Sequence, residues 1–420
     1  MTALSSTRAR LALALASGVV QAAAHARIEL AVGTVIAAAL LALAVDRAGP
    51  RIGACCGLIF GGIVGISFAS QSAAVWMVAV GLLCFGTLCS VMGLLGAMAT
   101  AEGRSPWLAG LWLPAVAWIY ETLNGLGPLG DYLGLAAAVT GLPLLSLAAW
   151  GGPGTAAAAA VGIGVALAYL RDPGRRRTMG LLLAGWLVLG AAAHWRSEGT
   201  PLTVGAVVHA PGSRGPDVLR DLARATRDAV DAGAELVVWP EAALRADSMT
   251  APAPLWEGIR RVAADAGVPL VVGVFVRELN ENLAILVTAD GLQSTYSKNR
   301  LIPAMEHYTP GADPPTAWDA GLPVPLGTII CFDDCFAPGP RRLAGEGAGL
   351  LAIPTNDWPR VEHRHRRLSM LRAAQTRLPV VRAASGGISQ ILSSRGAVLA
   401  EHPAPTDAPV VLVGTVEVRP

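Results

Sequence analysis

Residues 327–336 read GTIICFDDCF. A run of β-type apolar residues ends at Cys331, two carboxylates follow, and a second thiol stands at Cys335. Taken alone, a thiol closing an apolar strand is most often a packed core residue. Half of a disulfide, a metal ligand and a nucleophile are the other readings. The remainder of the chain bears on which one holds.

Charge is spread unevenly along the 420 residues. It is sparse before residue 196 and reaches ordinary globular density after residue 213. With 53% hydrophobic residues and a mean hydropathy of +0.51, this is not one ordinary soluble domain. The chain reads as an apolar helical half and a water-facing half, divided near HWRSEGTPLT. A net charge of +2, with no Lys/Arg stripe interleaved with aromatics, argues against nucleic acid as a partner. Of the six cysteines, Cys55, Cys56, Cys84 and Cys89 fall in apolar stretches. Only Cys331 and Cys335 lie in the polar half, too few for a disulfide scaffold.

Apolar stretches run at 11–24, 28–46, 52–69, 73–100, 107–123, 132–150, 154–170 and 180–195. Several approach the roughly 20 residues a spanning helix needs. The positive-inside rule places Arg8 and Arg10, Arg47 and Arg51, Arg104, and the RDPGRRR loop on the cytoplasmic side. That holds if the 132–150 stretch does not span, and NGLGPLGDYLG before it and WGGPG after it are rich in helix breakers. The expectation is a transmembrane bundle over 1–196 with about seven spans. A re-entrant or surface segment near 121–152 completes it, and residues 197–420 emerge outside the cytoplasm. Glu121 and Asp131 read as boundary residues.

From residue 202 strands and helices alternate. LTVGAVVHA, ELVVWPE, VPLVVGVFV, PLGTIICFDD and GLLAIPTND read as strands, and NLAILVTADGLQSTYSK as a hairpin with a D-G turn. DVLRDLARATRDAVDAGA, residues 254–266 and VEHRHRRLSMLRAAQTR read as helices. The pattern predicts a layered α/β domain with buried sheets. His363 and His365 stand two apart on a helix and so face different directions, which is not a convergent metal site.

Three apolar strands deliver chemistry at their ends: VVWPEAAL gives Glu241, YSKNRLIPAMEHYTPG gives Lys298 and Glu306, and GTIICFDD gives Cys331. Acid, lysine and cysteine in this order and context resemble the nitrilase superfamily over residues 200–415. TNDWP and RAAQTRLPVVRAASGGIS are similar to its later landmarks. The resemblance implies an α-β-β-α sandwich and a Glu241–Lys298–Cys331 triad, with Glu306 as a second supporting glutamate and neither metal nor other cofactor. The preceding helical half, with PAVAWIYETLNGLGPLGDYLG, resembles the apolipoprotein N-acyltransferase family. That family implies a multi-pass inner-membrane enzyme carrying a fatty acyl chain from phospholipid, through a Cys331 thioester, to a diacylated lipoprotein. Leu133, Leu135, Leu142 and Leu144 are then the expected acyl contacts. Phe332 and Asp333 stand where that family usually carries tyrosine and glutamate, and NDWPRVEH lacks its aromatic-rich continuation. The family usually carries a further span, whereas VVLVGTVEVRP is short and strand-like. A membrane-anchored amidase and an inactive scaffold are the competing readings.

Overall fold

The computed structural model describes residues 6–27, 30–70, 76–195, 199–208, 217–250, 254–358, 361–403 and 409–419. The chain forms two compact units, Met1–Gly127 with Leu133–Trp195, and Pro128–Tyr132 with Arg196–Pro420. The division expected at 196–197 and the first residues of the 28–46 and 73–100 stretches lie outside the described residues.

The first unit is helical. It comprises α1 (Thr7–Ala26), α2 (Gly33–Val45), α3 (Pro50–Ser70), α4 (Trp76–Ala99) and α5 (Pro106–Gly125), followed by α6 (Ala148–Gly151), α7 (Pro153–Tyr169) and α8 (Arg176–Ala193). Among the described residues, Thr7–Ala26 and Pro50–Ser67 are long and apolar enough to cross a membrane. Gly33–Val45, Phe85–Ala99 and Pro153–Tyr169 are shorter apolar helices. Polar groups from three segments meet at one end. Arg10 donates to the carbonyls of Ala44 and Asp46, Arg175 pairs with Asp46 at 2.6 Å, and Arg47 pairs with Asp172 at 2.9 Å.

Between α5 and α7 the breaker-rich sequence forms no long helix. Gly130–Leu133, Ala136–Val139 and Pro143–Leu147 are separate 3-10 turns, and α6 is a single turn. Residues 121–125 differ from expectation because α5 continues through them. Glu121 is buried, and its Oε1 accepts the Leu135 N–H.

The second unit begins with β1 (Thr200–Val208), α9 (Asp217–Asp231), β2 (Leu236–Val238), β3 (Leu244–Ala246), α10 (Pro254–Ala266), β4 (Leu270–Val276), β5 (Glu281–Thr288) and β6 (Gly291–Ser297). It continues with β7 (Leu326–Thr328), α11 (Pro338–Gly345), β8 (Leu350–Asn356), α12 (Glu362–Thr376), β9 (Val380–Ser385), β10 (Ser389–Leu392), β11 (Val398–His402) and β12 (Val410–Val418). One sheet runs β12-β1-β2-β4-β5-β6 with β3 beside β4; the other runs β11-β10-β9-β8-β7. β1 and β2 lie against β9, α9 and α10 cover the first sheet, and α11 and α12 cover the second. The result is an α-β-β-α sandwich. Strands covered on both faces read as continuous apolar runs, and every residue of β9 is buried.

The amphipathic stripe of α9 packs Val218, Leu222, Ala225 and Ala229 into the core beside β2. The buried Trp239 indole N–H donates to Thr226 of the same helix at 2.9 Å. Gly233, at φ 94°, then ends the turn leading into β2. β12 pairs antiparallel with β1 from Thr200↔Val418 to Val208↔Val410, so VVLVGTVEV is a strand.

One expectation fails locally. The strand predicted through PLGTIICFDD stops at Thr328, and Cys331–Cys335 form a 3-10 turn. The physical reason is Asp333, whose Oδ2 accepts the Ile330 N–H at 3.1 Å and so removes it from any ladder.

Candidate active site

Three site groups stand at the carboxyl ends of parallel strands, the usual location for chemistry in such sheets, and a fourth, Lys298, follows the antiparallel edge strand β6. Glu241 follows β2, which is parallel to β1 and β4. Cys331 follows β7, and Asn356 ends β8, which is parallel to β7 and β9. Lys298 is the first residue after β6, and its N–H is held by the Asn282 carbonyl at 2.9 Å. The close approach of the Glu241 loop to β4 depends on Gly273. A Cβ there would lie 2.1 Å from the Pro240 carbonyl oxygen and 2.8 Å from Glu241 Cα.

Lys298 is completely buried and sits between two carboxylates, 2.8 Å from Glu241 Oε1 and 2.7 Å from Glu306 Oε1. Glu241 Oε1 also accepts from Asn282 Nδ2 at 2.6 Å, and its Oε2 accepts the Asn356 N–H at 2.8 Å. Glu306 accepts from the Tyr308 hydroxyl at 2.5 Å and the Ile302 N–H at 2.8 Å. The Cys331 thiol is buried and donates to the Asn356 carbonyl at 3.8 Å. One residue, Asn356, therefore bridges the acid and the thiol through its own backbone N–H and C=O.

Cys331 has φ 47° and Ala242, next to Glu241, has φ 46°. Both are left-handed conformations that non-glycine residues adopt at a cost, and such strain gathers at functional sites. Asp333 fixes the elbow. It accepts the Ile330 N–H, the Arg300 N–H at 2.7 Å and the Tyr296 hydroxyl at 2.8 Å, tying the Cys331 turn to the Lys298 loop. Phe332 is buried against Phe336, ring centroids 5.5 Å apart.

Burial pushes the Cys331 thiol well above the ordinary range, and the Glu241 charge adds to this while Lys298 and His365 oppose it. Burial alone would lower Lys298, but Glu241 and the other nearby anions outweigh it and hold the ammonium well above its usual value. Burial raises Asp333 to about 6, against the pull of Lys298 and three hydrogen bonds. The site thus brings together a buried thiol whose ionisation burial opposes, a buried lysine whose ammonium the neighbouring groups favour, and the Glu241 carboxyl group beside it.

A cavity of about 490 Å³ opens onto Glu241 and Glu306, walled by Phe275, Tyr308 and Trp358 with Arg245 in its lining. The four candidate leucines lie in the helical unit. Leu144 is buried there, Leu133 and Leu135 pack on its core, and Leu142 is half-buried. Cys335 is a buried free thiol, pushed by burial up to about 12. His363 is exposed while His365 is buried. Asp131 is also buried, paired with Arg372 of α12, and not an exposed boundary residue.

Sequence reasoning missed Asn282, Tyr308 and Asn356 as contacts of the triad candidates. Tyr308 and Asn356 sat inside quoted motifs, and the parallel end of β8 was the available signal for Asn356. Asn282 gave none.

The chain belongs to the carbon-nitrogen hydrolase family, whose sequence pattern matches residues 203–418. Among curated relatives, the apolipoprotein N-acyltransferase of Gloeobacter violaceus is 32% identical over 193 residues, 39% of this chain and 36% of that protein. The apolipoprotein N-acyltransferase of Geobacter metallireducens is 34% identical over 102 residues, 23% of this chain and 19% of that protein. Each match therefore spans well under half of the relative's length. A crystal structure of an amidase from Nesterenkonia sp. is 22% identical, with a TM-score of 0.44, covering 53% of this chain and 92% of that one.

Proposed function

We propose that the protein transfers a fatty acyl chain from a phospholipid, through a thioester on Cys331, to the α-amine of a diacylglyceryl-cysteine lipoprotein. The observation that carries this reading is the Asn356 bridge. It holds Glu241 and the Cys331 thiol through one residue while Lys298 lies buried against Glu241. In the first half-reaction Glu241 takes the thiol proton and the sulfur attacks the ester carbonyl. The oxyanion meets the Phe332 N–H and Lys298. Of the three ammonium donors, two are committed to carboxylates and the third faces Tyr308 Oη at only 3.5 Å, so that one is left for the oxyanion. The ester C–O bond breaks, Glu241 returns the proton to the leaving alkoxide, and a lysophospholipid departs. In the second half-reaction the amine gives its proton to Glu241 and attacks the thioester. The C–S bond then breaks and the thiolate regains the proton. No step calls on a metal or cofactor.

The names of the curated relatives and the apolar first unit support a lipid substrate over a soluble one. We place that unit in the cell inner membrane with about seven spans and the catalytic unit outside the cytoplasm. The gathering of Arg10, Arg47 and Arg175 at one end of the helices supports one basic, cytoplasmic face. Leu133, Leu135 and Leu142 are the proposed acyl-chain contacts.

The acceptor half-reaction tests the reading. Acyl-enzyme should be discharged by a diacylated lipopeptide with a free α-amine, giving a triacylated product, and not by the same peptide with its amine blocked. Discharge by water alone, with Cys331-dependent cleavage of small amides, would establish a membrane-anchored amidase instead.

A further inference from the structure

Beneath Cys331 lies a second buried cluster that the proposed chemistry leaves unused. His365 of α12 has Nδ1 2.6 Å from Asp357 Oδ1 and Nε2 2.8 Å from Asp334 Oδ1. Arg382 of β9 reaches the other oxygens, Asp357 Oδ2 at 2.5 Å and Asp334 Oδ2 at 3.4 Å. Ser369 donates to Asp334 Oδ2 at 2.6 Å. All five side chains are buried. Gly387 leaves room for the arrangement, since a Cβ there would lie 2.3 Å from Asp357 Oδ2.

The geometry fixes the protonation of His365. An ionised carboxylate only accepts hydrogen bonds, and a neutral imidazole has a single N–H. Two ring nitrogens, each within 2.8 Å of a different carboxylate, both act as donors only in the imidazolium. Arg382 Nη2, 3.3 Å from Nδ1, is the more distant neighbour of that nitrogen. With the histidine charged, two anions face two cations and the cluster is neutral. With it neutral, a net negative charge would be buried beside the reacting sulfur.

That proximity is direct. The Cys331 sulfur, an Asp357 oxygen and a His365 nitrogen all lie within 4.8 Å of one another. The same spacing could suggest a metal site, but both His365 nitrogens are spent on carboxylates and a guanidinium occupies the remaining oxygens. We propose that His365 is a permanently charged positioning residue, acting through Asp334 and Asp357, that offsets the negative charge developing on Cys331. This rests on Cys331 being the nucleophile. The cluster also joins the Cys331–Cys335 turn, the end of β8, α12 and β9, so the charge and the elbow are held by the same bonds. The groups facing the imidazole are Cys331, Asp334 and Cys335 from the turn, Asp357 after β8, Arg382 from β9 and Tyr132 from the Pro128–Tyr132 segment. Two of these carboxylates hold His365 well above the ordinary imidazole range despite the opposing effect of burial.

The test is the pH profile of Cys331 alkylation by iodoacetamide in the full-length protein, read by peptide mass spectrometry. An opposite charge at this range shifts a titration by about 1–3 pH units. His365→Gln should therefore move the Cys331 midpoint upward by that much and slow alkylation at neutral pH at least tenfold. A folded His365→Gln protein with the wild-type profile overturns the inference while leaving Cys331 as nucleophile. No alkylation of wild-type Cys331 at any pH overturns both. Should His365→Gln not fold, ¹⁵N-histidine spectra of the wild-type protein decide. One of the seven histidines should remain doubly protonated at pH 8.5, and seven neutral imidazoles would refute the proposal.

Discussion

Lys298 has two carboxylate partners, and this separates the chemical role of Glu241 from its structural one. In Glu241→Gln the ammonium keeps Glu306 at 2.7 Å, so no charge is left buried and unpaired. The expected stability loss is about 1 kcal/mol or less, the scale of one altered hydrogen bond. The rate of acyl-adduct formation should fall much further. A general base contributes about 10²–10⁴-fold, equivalent to about 3–5 kcal/mol of barrier. Glu306→Gln leaves Glu241 at 2.8 Å and should cost a similar small amount of stability while keeping most of the rate. The double variant strips both carboxylates from a fully buried ammonium. Breaking a buried pair so that one charge stands alone costs about 3–5 kcal/mol, more than the two single losses together. The assay is denaturant unfolding of the purified full-length protein in detergent, alongside the time course of adduct formation. A Glu241→Gln rate within tenfold of wild type would place the base elsewhere. A double variant whose loss equals the sum of the singles would show that the lysine does not depend on this pair.

Gly273→Ala should destabilise by roughly 1–3 kcal/mol and lower activity, because the new methyl meets backbone at Pro240 and displaces Glu241; an unaltered unfolding midpoint contradicts this. Cys335→Ser should retain adduct formation and Cys331→Ser abolish it, and equal loss from both would point to a shared redox or metal role. Acid stability should depend on Asp357. Burial opposes its ionisation, but Arg382 and His365 outweigh burial and depress its pKa. Its contribution is therefore present above the unfolded value of about 3.9 and is lost as pH falls through the depressed folded value. Asp357→Asn should flatten the decline in stability below about pH 4, and an unchanged slope would remove Asp357 from that account.

The sequence made the ends at Glu241 and Cys331 legible because each closes an apolar run, whereas Lys298 follows the polar, partly exposed strand GLQSTYS and was legible from its place between them in the motif order. Glu241, Lys298 and Cys331 could be aligned before any pairing was known. The β5–β6 hairpin followed from Asp290-Gly291, and Gly291 has φ 109°. Strand order was not legible, and strand order creates the rest of the site. Asn356 reaches Glu241 across 115 positions of chain. Asp334, Asp357, His365 and Arg382 become a cluster only when β8, β9 and α12 pack together. His365 illustrates the limit: residue spacing separated it from His363, as the structure does, but gave no hint of the two buried carboxylates awaiting it. The 3-10 turn at Cys331 escaped detection because IICF has strand propensity, and a side chain two residues later overrides it.

The central claim is that Cys331 carries the acyl group. Full-length protein incubated with a phospholipid of defined acyl chains, then digested and analysed by mass spectrometry, tests it directly. The predicted result is one fatty-acyl mass on the peptide containing Cys331, removed by neutral hydroxylamine and absent from Cys331→Ser. An intact, folded preparation that stays unacylated while cleaving small amides through Cys331 would contradict it.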